Sequence, residues 1–423
     1  MEAAQTLEGL ALSTQVRPLT ADDYGAYARI ASYAFNCLPA QIMDELARGA
    51  PTLGVFAEGQ LAAALLDRRF DLNVNGTMVR ANGIGMVASA PETRRRGMVR
   101  ELFAAHLEQL RDDGVVLSLL YPFNFGYYNR FGWGFGERRL KLFVPPREFA
   151  GYGRPVGRVR EILYVEKDVL KPADGETLDS VIETLDRLYR AEAARWNLSA
   201  QRSRADWQRM LEVHRGRRFV FVWEPEGGGE AQGYFIGYFR EERHDGDLTC
   251  RQIIAATPDA WRGLCDFLRS HDSQNKHIVF DVPFEHRLLD LLDNPRVDNK
   301  ALEHGPMVRA VDLVGLLEAR GVDGICSGRC VLEVADGLAP WNDGRFSVTM
   351  ANGRLTAERS EAAEGAAEAD LSGPIDVISQ LAVGVRSVDD MMRFGFAQGR
   401  PGRGLDFARG LFAPRPIWHN EYY

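Results

Sequence analysis

"MVASAPETRRRGMVRELFAAHLEQLRDDGVVLSLLY", residues 86–121, changes its hydrophobic period twice. Its first residues read as a strand running to Ala90, where Pro91 breaks it. From Met98 the apolar set Val99, Leu102, Phe103, Leu107 and Leu110 recurs on one helical face, and Gly114 ends the helix. "VVLSLLY" then runs apolar without alternation, as a strand covered on both faces does. The predicted order is strand, arginine-glycine loop, helix, strand, an α/β arrangement.

A loop that enters a helix N-terminus collects unpaired backbone N–H groups and the positive end of the helix dipole, which together suit a phosphate. Gly97 lets the backbone approach closely, while Arg94, Arg95 and Arg96 can reach phosphate oxygens. Neither a Walker loop nor a dinucleotide-binding glycine pattern is present.

On the amino-terminal side, "VRPLTADDYGAYARIASYAF" predicts an extended piece and a helix capped by Thr20 or Asp22, and Glu58-Gly59 marks a hairpin. On the carboxyl side lies "YPFNFGYYNRFGWGFG", residues 121–136. There Phe131, Trp133 and Phe135 alternate with glycines, which predicts a strand packed closely on one face.

The same order returns in "IIAATPDAWRGLCDFLRSHDSQNKHIVFDVPFEH", residues 253–286, as in a duplicated domain. The second copy has "DAWRGL" where the first has "ETRRRGMV", and no aromatic stretch beyond "PFEH". A ligand held by the loop is therefore expected in the first copy alone. From about Met307 the texture changes: "VRAVDLVGLLEARG" reads as a helix, 328–360 as strands with an Asn-Gly turn, 361–370 as an acidic edge and 373–395 as helical. The chain finishes on "GLFAPRPIWHNEYY", whose Phe412, Ile417, Trp418, Tyr422 and Tyr423 predict a docked rather than a frayed tail.

With 423 residues, 45% hydrophobic and 26% charged, the chain reads as globular with two or three domains. A net charge of −8 argues against a general grip on nucleic acid and leans toward cationic small molecules. No apolar run reaches membrane-spanning length and no signal peptide is evident, so no membrane partner is expected. Five scattered cysteines fit a reducing cytoplasm, and the three-residue gap in "CSGRC" gives no metal site. His106, His271 and His286 are expected to be packed or surface histidines in helical segments, without metal or triad spacing.

The loop Arg94-Arg95-Arg96-Gly97-Met98-Val99 resembles the pyrophosphate loop of GNAT acyl-CoA N-acetyltransferases, Q/R-x-x-G-x-G/A, with Val99 departing from the final small residue. "RRRGMVREL" followed by "GYYNRFGWG", a degenerate second copy, a third unit and an aromatic end together resemble the Eis (enhanced intracellular survival) acetyltransferases over essentially the full length. The resemblance implies an α/β (α+β) fold. A catalytic GNAT domain at 1–150 and a degenerate one at 151–305 would precede a sterol carrier protein-like domain at 306–423. It implies acetyl-CoA as co-substrate, a small-molecule amine of cationic character as acceptor, direct transfer in a ternary complex, and a homo-oligomer of hexameric type. Carried onto this sequence, Tyr128 is the general acid and the terminal carboxylate of Tyr423 the general base. Tyr127 would point elsewhere. Val87, Ala88 and Ser89 would meet the pantetheine arm, Arg94, Arg95, Arg96, Gly97, Met98, Val99 and Arg100 the pyrophosphate, and Phe123 and Asn124 the acetyl end. The rival is a non-enzymatic lipid-binding or scaffold protein working through the third unit, against which the retained "RRRG" and "YYNRFG" count.

Overall fold

The computed structural model describes residues 13–149, 156–166, 169–211, 218–239, 246–297, 299–322, 324–360 and 368–421. The acidic stretch at 361–367 and the terminal Tyr422 and Tyr423 lie outside the described residues.

The first sheet begins with β1 (Thr14–Pro18), β2 (Thr52–Ala57), β3 (Gln60–Val74), β4 (Thr77–Ser89) and β5 (Leu117–Leu120). Helices α1 (Tyr24–Phe35), α2 (Pro39–Leu46) and α3 (Met98–Asp112) lie between them in sequence. Glu58 and Gly59 both take positive φ, 49° and 74°, the backbone that a two-residue hairpin between right-twisted strands needs. The apolar face of α3, with Leu102, Phe103, Leu107 and Leu110, is buried, and Gly114 at φ 72° lets the chain turn into β5. β4 and β5 pair in parallel, as the strand-loop-helix-strand reading requires.

After β5 come the short helix α4 (Phe125–Asn129) and the two-residue β6 (Gly134–Phe135). The aromatic stretch is therefore a helical turn plus a bend, and only its end is strand. Gly132 turns at φ 90°, Trp133 is fully buried, and Phe135 is exposed, stacked on Phe125. The expected alternation fails because Gly132 is needed for something else: a Cβ there would sit 1.5 Å from the Nη1 of Arg309.

The chain then leaves for a second sheet. That sheet contains β7 (Arg138–Val144), β8 (Gly157–Glu166), β9 (Val169–Pro172), β10 (Arg218–Pro225), β11 (Gly233–Phe239), β12 (Leu248–Ala255), β13 (Ile278–Pro283) and β14 (Lys300–His304). Its helices are α5 (Leu178–Ala193), α6 (Arg204–Leu211) and α7 (Pro258–Arg269). Next, β15 (Met307–Ala310) returns to the first sheet. The orders are β1-β2-β3-β4-β5-β15-β6 and β14-β7-β13-β12-β11-β10-β8-β9. Each half thus lends one strand to the other: β15 fills the slot between β5 and β6, and β7 the slot between β13 and β14. Residues 308–310 are consequently strand where the sequence suggested helix, and the helix, α8 (Leu313–Ala319), starts after Asp312 caps it.

A third unit follows: β16 (Gly328–Ala335), β17 (Gly344–Ala351), β18 (Arg354–Ser360), β19 (Leu371–Pro374) and β20 (Gln398–Gly399), ordered β18-β17-β16-β19-β20. It is covered by α9 (Ile375–Ala382), α10 (Val388–Arg393) and α11 (Arg403–Leu411). Its core, including Leu332, Phe346, Ile378 and Leu411, is continuous with Leu72, Leu117, Leu119 and Val308 of the first sheet. That shared core fixes where the tail can go. Phe412 and Ile417 are buried, and the chain runs on across the junction of the two halves.

Candidate active site

The two parallel strands β4 and β5 hold together from Ala81–Leu117 to Ile84–Leu120 and then part. A register shift against β3 between Ala64 and Leu66 bends β4 there, with Met86 in the left-handed region at φ 51°. The Tyr27 hydroxyl donates to the Met86 carbonyl at 2.7 Å and fixes the bend. Val87, Ala88 and Ser89 beyond it line a cleft of about 890 Å³, together with Gly97, Met98, Val99, Arg94, Arg95 and Arg100. Arg95 at φ 63° and Gly97 at φ 87° curl the loop before α3, and Gly97 caps that helix without a side chain, so its first N–H groups face the cleft. Any residue with a Cβ at Gly97 would be strained by the backbone alone, since open space surrounds it.

Among the described residues the lining carries four arginines, Arg94, Arg95, Arg100 and Arg130, and no carboxylate. Such a surface is built for polyanionic oxygen. Of the residues expected around a coenzyme, Arg96 is exposed and does not line the cleft. Asn124 does not line it either: its Oδ1 accepts the Tyr127 N–H at 2.9 Å and caps α4. Arg100 lines it while donating to the Gly337 carbonyl at 2.6 Å. Phe123 is 77% exposed at the mouth.

Of the two adjacent tyrosines it is Tyr127, expected to point elsewhere, that reaches the cleft wall. Tyr127 lines the cleft, its ring 4.3 Å from the Arg130 guanidinium. Tyr128 lies behind, 4% exposed, its ring edge-on to Phe123 at 5.5 Å and tilted against Phe103 at 6.2 Å. Burial, and next the neighbouring Tyr127, hold its phenol protonated well above the ordinary tyrosine range. The turn that carries it is pinned from elsewhere. Arg309 donates to the Phe131 carbonyl at 2.6 Å and to both carboxylate oxygens of Asp336, and Asn129 donates to Asp376 at 2.8 Å.

Across the bend at Met86 a second groove opens, of about 450 Å³, lined by Met86, Phe70, Glu45, Arg48, Arg68, Asp206, Arg209, Arg218, Arg251 and Glu421. Sequence reading missed it. Its residues come from widely separated segments with no common motif, and so did the cleft's Ala34, Phe35, Thr93 and Phe131. The tail closes one side: the Tyr121 hydroxyl donates to the Glu421 carbonyl at 2.8 Å, and the Glu421 carboxylate takes Arg202 at 2.6 Å.

The second copy repeats the splay but not the cleft. β12 and β13 pair only through Leu248–Ile278 and Thr249–Val279. Trp418 and Asn420 of the tail stand in the gap beside Ile253, Ile254 and Val282, leaving a cavity of about 40 Å³. Thr257 caps α7 by accepting the Ala260 N–H, and Pro258 has no N–H to offer, so this helix start presents little to a phosphate. His106 is buried in α3, His271 donates its Nδ1–H to the Phe267 carbonyl at 2.9 Å, and His286 caps a short 3₁₀ turn rather than sitting in a helix.

Comparison with known proteins agrees with this geometry. The acetyltransferase (GNAT) domain family matches residues 15–136, a second acetyltransferase (GNAT) domain family matches 198–310, and the sterol carrier protein domain family matches 313–420. N-acetyltransferase Eis of Mycobacterium tuberculosis is 27% identical over 318 residues, 71% of this chain and 70% of that protein. The chain belongs to the Eis-type GNAT N-acetyltransferases. An uncharacterized N-acetyltransferase of Streptomyces avermitilis is 25% identical over 373 residues, 80% of this chain and 83% of its own length. Among solved structures, Eis1 from Mycobacterium abscessus superposes with a TM-score of 0.76 at 19% identity, covering 97% of this chain and all of that one. A probable N-acyltransferase from Enterococcus faecalis does so at 0.82 and 20% identity, over 96% and 98% of the two chains. These likenesses show the Eis-type architecture of two GNAT units and a sterol carrier-like unit. Among the described residues no helix is long and apolar enough to cross a membrane.

Proposed function

We propose that the first GNAT copy transfers the acetyl group of acetyl-CoA directly to a primary amine held in the groove beyond Met86. The observation that carries this reading is the adjacency of the two cavities. Met86 lines one and Val87 the other, so a thioester lying along β4 and an amine in the groove would meet at the bend. The four arginines and the curled Arg95–Gly97 loop suit the diphosphate of the coenzyme, and the splayed Val87–Ser89 backbone suits its amide-bearing arm.

In this reading the neutral amine attacks the thioester carbonyl carbon and a C–N bond forms. In this reading a backbone N–H near Val87 serves as donor to the resulting oxyanion. As the C–S bond breaks, the departing thiolate takes the proton of Tyr128, and the proton lost by the amine passes to the terminal carboxylate of Tyr423. The place of Tyr128 in the turn behind the cleft mouth, edge-on to Phe123, supports its part as acid, and the docking of the tail as far as Glu421 beside Tyr121 supports the delivery of Tyr423. The same reading makes the protein a cytoplasmic homo-oligomer, which sedimentation analysis tests.

The experiment is release of coenzyme thiol from acetyl-CoA across a panel of primary amines, with the product weighed. Acetylated amine formed one for one with thiol is expected; stabilisation by a fatty acyl ligand with no turnover would favour the lipid-binding rival.

A further inference from the structure

Among the described residues the third unit supplies no lining to the cleft, yet it reaches both ends of it. Arg100, in the first turn of α3, lines the cleft and gives an N–H of Nη2 to the Gly337 carbonyl at 2.6 Å. Arg111, in the last turn of the same helix, lies over the Trp341 ring at 5.1 Å. Leu338 and Trp341 also pack on the buried cluster that contains Phe103 and Tyr128. The loop that follows β16 is therefore held against α3 near both of the helix's ends.

The turn that carries Tyr128 answers to the same unit. Asn129 donates to Asp376 of α9 at 2.8 Å, and the Phe131 carbonyl takes Nη1 of Arg309, whose Nη2 is held by Asp336. Asp336 is where the two ends meet. Its side chain, 1% exposed, takes Arg309 on both oxygens and accepts the N–H groups of Leu338 at 3.0 Å, Ala339 at 3.1 Å and the Asn342 amide at 3.3 Å. Gly337, the partner of Arg100, is the next residue along. One buried carboxylate thus shapes the loop that meets Arg100 and holds the arginine that meets Phe131. A network so enclosed has few alternative arrangements, because a rearrangement leaves a buried charge unanswered.

We propose that the third unit serves the first copy as a rigid frame, with Asp336 as a positioning residue that touches no reactant. Through Gly337 it sets Arg100 at the diphosphate end, and through Arg309 it sets the turn of Tyr128 at the acetyl end. This rests on the transferase reading above, and it gives the sterol carrier-like unit a part in catalysis that needs no lipid. A misplacement of about 1 Å at a transfer site costs about 100-fold in rate, which is the scale on which such a frame acts.

The test is a mutant cycle on the full chain, with acetyl-CoA and whichever of hexylamine, 1,6-diaminohexane and 6-aminohexanoate turns over fastest. Asp336→Asn keeps the shape and loses the charge, and is expected to lower kcat about tenfold or more. In the Tyr128→Phe enzyme the same change is expected to cost less than about twofold, because the group it positions is gone. Equal losses in the two backgrounds are what plain destabilisation would produce; they overturn the proposal, as does an unchanged kcat. Should Asp336→Asn give no cooperative melt, Leu338→Ala, at a half-buried position, takes its place in the same cycle with a loss of about threefold expected.

Hydrogen exchange reads the frame without turnover. Saturating acetyl-CoA is expected to slow exchange about threefold or more at residues 338–342, none of which lines the cleft. Arg100→Ala is expected to abolish that slowing while acetyl-CoA still protects residues 87–89. No slowing at 338–342, or slowing that survives Arg100→Ala, overturns the proposal and leaves the transferase reading standing. If none of the three amines is acetylated, this measurement alone decides the proposal, and the transferase reading is decided separately on the wider amine panel.

Discussion

The Tyr121 hydroxyl donates a 2.8 Å hydrogen bond to the carbonyl of Glu421, 300 residues further along the chain. Tyr121 follows β5 directly, at the point where β4 and β5 have parted, so this bond sets the last described residue of the tail beside the splay. Two residues before it, His419 is buried between the rings of Phe70 and Tyr121, and its backbone N–H donates to the buried Glu137 side chain at 3.1 Å. The tail is held as core is held. That hold on the tail supports the proposed part of the terminus.

If Tyr128 supplies the proton to the leaving thiolate, Tyr128→Phe lowers kcat about 100-fold, the range of a general acid, with acetyl-CoA KM little changed. The ring contacts with Phe103 and Phe123 remain, so stability shifts by less than about 1 kcal/mol. Tyr127→Phe, which keeps the ring beside Arg130, is expected to cost less than about fivefold. Steady-state kinetics of the two variants side by side checks the assignment; a larger loss from Tyr127→Phe would move the acid by one residue.

Gly97 at φ 87° gives the helix its uncapped start. Gly97→Ala is expected to cost about 1 kcal/mol of stability and to raise the acetyl-CoA KM, leaving kcat at saturation nearly intact. Thermal melts with and without acetyl-CoA measure both effects.

Arg309 and Asp336 form a fully buried ion pair that also anchors Phe131, next to the turn carrying Tyr128. Arg309→Met leaves the buried Asp336 without its counter-charge, holding only the N–H groups of Leu338, Ala339 and Asn342, and about 3–5 kcal/mol of stability is expected to go. Gly132→Ala strikes the same spot from the other side, by collision with the guanidinium. Urea unfolding compares the two, and matched losses would confirm that Gly132 exists for Arg309.

Proton linkage brackets the stable pH range. His106, His286 and His419 are held neutral by burial, each down to about 4 from the usual 6.5. Their contribution is present above pH 6.5 and lost as pH falls toward 4. Glu137 goes the other way: burial raises it to about 8, so its contribution is whole below its unfolded value and lost as pH rises through 8. Melting temperature against pH should fall on both limbs, and Glu137→Gln should flatten the alkaline limb alone.

Much of the cleft was legible because local chemistry sets it. Pro91, Gly97 and the helical face from Met98 fix a strand-loop-helix without help from distant residues, and the duplicate at 253–286 starts its helix differently, on the cap Thr257 and Pro258. What was hidden depends on long-range partners. The strand exchange of β7 and β15 leaves no periodicity signal, since Met307–Ala310 and the following helix are both apolar. Which of Tyr127 and Tyr128 faces the cleft follows from how α4 is pinned by Arg309 and Asp376, and the second groove is assembled from the first half, the second half and the tail.

The central claim is direct transfer at a single cleft in the first copy. Its most direct test is to mix the enzyme with isotopically labelled acetyl-CoA, with and without acceptor amine, and follow thiol release and label by mass spectrometry. The account predicts that thiol appears only when amine is present, that all label is on the amine nitrogen, and that Gly97→Ala weakens the one acetyl-CoA site. Label on the enzyme before amine is added, or a second acetyl-CoA per chain unaffected by Gly97→Ala, would contradict it.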